Sequence, residues 1–258
     1  MAELIESKQL PCSAADARQR IAENWQRVCL NVAEATAAAG RQVDEVHIVG
    51  VSKYVDALIT SWLVDAGCRD LGENRPQLLD QKATWFAEHR PDVATEIQWH
   101  QIGHLQRNKV RRLLTVKPLV HSIDSERLLD EVLAEARRQE TSVDVLIEVN
   151  VSGDQAKTGL PPTELPGLVE RFFARPDRSS SSHGVQIVGL MGMAGWGTDP
   201  HQARPQFSRL RELRDSLVDQ TDVDFPELSM GMSGDYAAAI AEGATLVRIG
   251  SSLFEGLL

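Results

Sequence analysis

The feature that most restricts how this chain can fold is an alternation. From Val46 onward, short runs of aliphatic and β-branched residues take turns with longer stretches of helical periodicity, and the runs number eight: 46–52, 70–72, 97–103, 119–123, 143–149, 185–191, 228–230 and 245–249. Apolar runs of this kind, without strict in-out alternation, read as parallel strands covered on both faces. The intervening stretches carry helix punctuation: Asp56 as a cap with Gly67 as a stop, Pro76 in a first turn, and Asp199-Pro200 as cap and first residue. Eight such units in a chain near ~250 residues predict an α/β fold, a single (β/α)8 TIM barrel. An open doubly wound sheet is the rival, and it requires the runs at 70–72 and 228–230 to be loops.

Ahead of the barrel, Ser13 to Ala39 has Ile21, Trp25, Val28 and Val32 on one stripe, with Ser13 and Asp16 to open a helix and Gly40 to close it. No composition break or long linker interrupts the alternation. The expected organisation is therefore one domain, with 1–45 as an N-terminal extension and helix and 46–258 as the barrel. The segment 175–184, with four serines from Ser179 to Ser182, is the one low-complexity stretch and reads as a surface loop away from the chemistry.

Charge and cysteine content exclude several partners. Lys plus Arg number 27 against 37 Asp plus Glu, a net charge of −10 that gives no attracting field for nucleic acid. Cys12, Cys29 and Cys68 are odd in number and lack metal-ligand spacing, so they read as free thiols of a reducing compartment. With no apolar leader and no stretch of membrane-spanning length, the expected place is the cytoplasm, with no membrane association.

In a barrel of this class the chemistry sits where strands end. The first run, Val46 to Ser52, ends in Lys53, an ammonium delivered to the rim of an apolar core and a candidate amine nucleophile. After the seventh run comes Ser229-Met230-Gly231-Met232-Ser233-Gly234-Asp235, and after the eighth Arg248-Ile249-Gly250-Ser251-Ser252. Small residues let the backbone approach an anion, and N–H and hydroxyl groups donate to it. Together these two turns read as a phosphate cup. A cup opposite a strand-end lysine points to a phosphorylated aldehyde, of which pyridoxal 5'-phosphate is the obvious cofactor. Arg248 then either meets the pyridine nitrogen or makes a salt bridge inside the barrel.

The chain resembles the pyridoxal phosphate homeostasis proteins, whose fold is like the alanine racemase N-terminal domain. The motifs that carry the resemblance are Val51-Ser52-Lys53, Gly72-Glu73-Asn74, the stretch from Trp99 to Gln106 with Asn108-Lys109, His121-Ser122-Ile123-Asp124, Val149-Asn150 with Lys157 and Gly159, Gly189-Leu190-Met191, Ser229 to Ser233, and Val247-Arg248-Ile249-Gly250. The resemblance implies that Lys53 forms a Schiff base with the cofactor, Asn74 lies near its ring oxygen, Arg248 faces the pyridine nitrogen, and Ser233, Gly250 and Ser251 hold the phosphate. It also implies a cofactor-handling role for Lys157 near the entrance. Tyr54-Val55 lacks the further basic residue that many members carry there. The expected role is intracellular homeostasis of pyridoxal phosphate by a monomer that holds it reversibly, with apo-enzymes as transient recipients and no catalysis. The alternative is an amino-acid racemase. That chemistry needs a second acid-base group across the substrate, and neither Tyr54 nor Tyr236 stands in a motif that places it there. His100 and His104 are four apart, but Gln101 replaces the Glu of a zinc-protease helix, so a metal is not expected.

Overall fold

The computed structural model describes residues 10–154, 158–175, 179–180 and 183–257. Its eight barrel strands are β1 His47–Val51, β2 Asp70–Glu73, β3 Gln98–Gln101, β4 Leu119–Ile123, β5 Ser142–Glu148, β6 His183–Met191, β7 Glu227–Met232 and β8 Leu246–Ile249. Each pairs in parallel with its sequence neighbour. The ring is closed by β8 against β1, with His47 opposite Leu246 and Gly50 opposite Ile249. Both short runs are strands, which removes the open-sheet alternative.

The helices are α1 Ala14–Ala38, α2 Ala57–Asp65, α3 Pro76–His89, α4 Val110–Leu113, α5 Glu126–Arg138, α6 Leu165–Phe173, α7 Pro200–Thr221 and α8 Tyr236–Ala241. The caps read from sequence are present: Ser13 Oγ accepts from Asp16 N, Asp56 Oδ1 from Ile59 N, and Asp199 Oδ1 from Gln202 N. On α1, Ala17, Ile21, Val28 and Val32 are buried against the barrel's outer layer. Buried Asn24 ties this helix to the far end of the chain, donating to the carbonyls of Leu253 and Glu255.

Two stretches depart from the expected pattern. The apolar-poor stretch after β3 opens with a 3-10 turn at Arg107–Lys109 and reaches α-helical geometry only at Val110–Leu113, where Val110 and Leu113 are buried. In the serine-rich segment, Ser179–Ser180 form a short strand antiparallel to the start of β6, with Ser180 opposite His183. Ser181 and Ser182 lie outside the described residues.

Inside and outside of the barrel wall are filled differently. Between strands and helices lies a large apolar layer that includes Leu63, Leu71, Phe86, Leu129, Ile147 and Phe207. The interior holds only a small separate apolar group, Val49, Leu146, Met191 and Leu246. Val49 is opposite Arg248 in the β1–β8 register, so that arginine points the same way, inward. Leu119, Val188 and Met193 pack against this group, and buried His100, His121, Ser229 and Arg248 share the interior with it.

Candidate functional site

At the C-terminal ends of the strands lies a cavity of about 420 Å³, lined by residues that follow β1, β2, β3, β6, β7 and β8. Its wall includes Lys53, Asn74, Ser233, Arg248, Gly250 and Ser251, the described residues to which the family resemblance gives a role toward the cofactor. Lys157 lies outside the described residues. A larger surface groove of about 560 Å³ runs past Arg214 and Phe225, near the start of β7, and holds none of these residues.

Each wall residue is placed by its strand. Val51 ends β1, and the turn after Ser52 brings half-buried Lys53 to the rim, with Nζ 4.8 Å from the centroid of the Tyr54 ring. Asn74 follows β2 directly, and Gly103 comes so close beneath it that a Cβ at 103 would stand 2.4 Å from the Asn74 carbonyl oxygen. Loops after β7 and β8 face each other: the Gly250 N–H donates to Ser233 Oγ at a long 3.4 Å. Gly231, at φ +89° inside β7 where the pairing with β8 shifts register, must be small, since a Cβ there would meet Ala239 Cβ at 2.6 Å.

Arg248 is buried at the inner wall of the cavity. It donates through Nη1 to Ser229 Oγ and through Nη2 to the Gly192 carbonyl at 3.1 Å. Both acceptors are neutral, and among the described residues no carboxylate stands within salt-bridge distance of it. Burial pulls its pKa down to about 10, against the more distant pull of Asp235 and Glu148. Ser229, expected as a cup hydroxyl, is instead fully buried inside the barrel. It belongs to a polar chain in which Ser229 Oγ is 2.8 Å from His121 Nδ1, His121 Nε2 is 2.9 Å from His100 Nδ1, and His100 Nε2 is 3.0 Å from Asp70 Oδ1. Burial, then the neighbouring His100 and Arg248, hold His121 well below the usual imidazole pKa, so it is neutral.

A second buried cation stands behind Lys53. Lys82 reaches from α3 and donates to the Ser52 carbonyl at 2.8 Å, to Ser52 Oγ at 3.0 Å and to the Glu73 carboxylate. It thereby fixes the peptide that leads into Lys53. Glu148, at the end of β5, is a buried carboxyl whose pKa is raised by burial, with Thr158 donating to it at 2.7 Å.

Sequence reading missed this supporting layer. His100 and His121 were visible only as parts of motifs, because a polar residue inside a barrel cannot be told by spacing from one on its rim. The two histidines considered as a metal pair diverge: His100 points into the barrel, whereas His104 bonds Asp124 at the surface. Among the described residues no group of three or more His, Cys, Asp or Glu could hold a metal ion. Tyr54 lines the cavity, but on the same side as Lys53, and Tyr236 packs against the outer core.

Residues 64–257 match the family described as Alanine racemase, N-terminal domain. A curated relative from Aquifex aeolicus, named Pyridoxal phosphate homeostasis protein, is 39% identical over 90% of this chain and 96% of its own length. A crystal structure of an unknown protein from Bifidobacterium adolescentis superposes with a TM-score of 0.84 at 32% identity, covering 98% of both chains. PipY of Synechococcus elongatus, in a structure with PLP bound, superposes with a TM-score of 0.73 at 30% identity, covering 86% of this chain and 99% of its own.

Proposed function

Because this chain belongs to the pyridoxal phosphate homeostasis proteins, we propose that it binds pyridoxal 5'-phosphate in the cavity at the strand ends and serves in the homeostasis of that cofactor, not as a catalyst. One observation carries the reading: the cavity gathers an amine from β1, small residues from the loops after β7 and β8, and a buried guanidinium without a carboxylate partner among the described residues. Those are complements of an aldehyde, a phosphate and a pyridine nitrogen.

The cofactor supplies an aldehyde, with which the Lys53 amine forms a reversible Schiff base. Ser233 Oγ and the backbone N–H groups at Gly250 and Ser251 bind the phosphate; the long Gly250–Ser233 contact is weak enough to be exchanged for it. Arg248 donates to the pyridine nitrogen and, as a guanidinium, keeps it unprotonated, which weakens its use as an electron sink. Asn74 sits beside the ring oxygen. Lys82 holds the backbone that aims Lys53. Tyr54 stands on the Lys53 side, so no second acid-base group is supplied across from the lysine by either tyrosine, in keeping with holding rather than racemising.

The reading extends to a single domain in which 1–45 is an extension and 46–258 the barrel. It extends also to a cytoplasmic monomer that passes the cofactor to apo-enzymes, with Lys157 assisting at the entrance. No helix among the described residues is long and apolar enough to cross a membrane.

The test is spectroscopic. Purified protein loaded with pyridoxal phosphate should absorb in the visible and, after borohydride reduction, carry the label on the peptide containing Lys53; Lys53→Ala should abolish both. A label that stays on another peptide, such as that of Lys157, would remove Lys53 from its role.

A further inference from the structure

The buried chain from Asp70 to Arg248 has a direction, and that direction is set at its far end. Arg248 can only donate, so Ser229 Oγ accepts from it. Asp70 lies at the first residue of β2 and is partly exposed; as a carboxylate it can only accept, so His100 donates to it through Nε2. A neutral His100 then has a bare Nδ1, which accepts from His121 Nε2–H, and a neutral His121 accepts at Nδ1 from the Ser229 hydroxyl. Each contact carries one hydrogen, and all hydrogens run the same way. The reverse order would set an imidazole lone pair against the Asp70 carboxylate or require a doubly protonated His100 between Asp70 and His121.

We propose that Asp70, acting through His100, His121 and Ser229, is a positioning residue for Arg248. The Ser229 hydroxyl hydrogen is committed to His121, which leaves the oxygen lone pairs for the guanidinium. Together with the Gly192 carbonyl, this acceptor holds two of the donors of Arg248 and fixes the plane in which the others meet the cavity. Hydrogen-bonded chains in a low-dielectric interior polarise one another, so a change at Asp70 is felt at Arg248. This inference rests on the reading that Arg248 faces the pyridine nitrogen of the bound cofactor.

The test separates the two. In 15N-histidine NMR of the cofactor-free protein, His100 and His121 should both appear as neutral Nε2–H tautomers. Asp70→Asn, which can donate where Asp70 accepts, should change the His121 signal, and Asp70→Glu should restore it. In the loaded protein, Asp70→Asn should shift the absorption maximum and weaken pyridoxal phosphate binding about three- to tenfold, in the direction of Arg248→Met but by less. Combined with Arg248→Met, it should add nothing further. Wild-type histidine tautomers of the opposite kind, or an Asp70→Asn protein with unchanged histidine signals and spectrum, would overturn the positioning role. If the tautomers behave as stated while Arg248→Met leaves spectrum and affinity unchanged, the assignment of Arg248 to the pyridine nitrogen fails, and the role of Asp70 toward the cofactor fails with it.

Discussion

Lys82 and Arg248 are both buried cations of the barrel wall, one on the helix side and one inside, and the protein provides for them differently. Lys82 has an acceptor for each of its three hydrogens, one of them the Glu73 carboxylate. Arg248 has two neutral acceptors and a face on the cavity. A buried cation whose donors are all taken joins parts of the protein; here it joins α3 to the ends of β1 and β2. One with donors to spare at a cavity wall is suited to bind something else. Burial lowers the pKa of both, so the pKa alone does not distinguish them.

The contrast is sharpest in stability. Lys82→Met leaves Glu73 charged and buried without its partner, and should cost about 3–5 kcal/mol in urea unfolding of the cofactor-free protein. Adding Glu73→Leu should return much of that loss; an unchanged midpoint in the single variant would erase the distinction. Arg248→Met should instead act on binding, weakening pyridoxal phosphate by about ten- to a hundredfold through the loss of a charge-assisted hydrogen bond. Its unfolding midpoint should move far less than that of Lys82→Met. The smallest effect concerns pH. Native His121 binds fewer protons than its unfolded counterpart between its lowered pKa and the ordinary 6.5. Stability should thus fall as pH drops below 6.5, by up to about 1.4 kcal/mol per pH unit. His121→Gln should lack that component when the two proteins are unfolded side by side at pH 7.5 and 5.5.

Much of the rim could be read from sequence, and the reason is geometric. Strand ends and Gly-Ser turns leave a local signature, so Lys53, Arg248 and the two turns that hold Ser233, Gly250 and Ser251 stand out in the sequence; Asn74 comes from the family resemblance, and closure of the ring brings all six onto one cavity. The eight runs likewise gave the strands. What could not be read was how far below the rim a residue near a strand end lies. Ser229 looked like Ser233, yet it lies below the cavity floor, because it sits inside β7, three residues before the strand's last residue, whereas Ser233 follows the strand's end. The clamp of Lys82 on Ser52 was hidden for another reason: the two are 30 positions apart and meet only because α3 packs over the β1–β2 seam.

The closing seam of the barrel also orders events in time. Lys53 follows the first strand, whereas Ser233, Gly250 and Ser251 follow the last two, and only the pairing of β8 with β1 makes them neighbours. A ribosome delivers the lysine almost two hundred residues before the glycine and serine that complete the cup. On the proposed assignment a growing chain has the amine but not the phosphate site, so capture of the cofactor waits until the ring shuts. Once captured, a ligand that touches both sides of the seam holds the first strand to the last, and unzipping there requires its release.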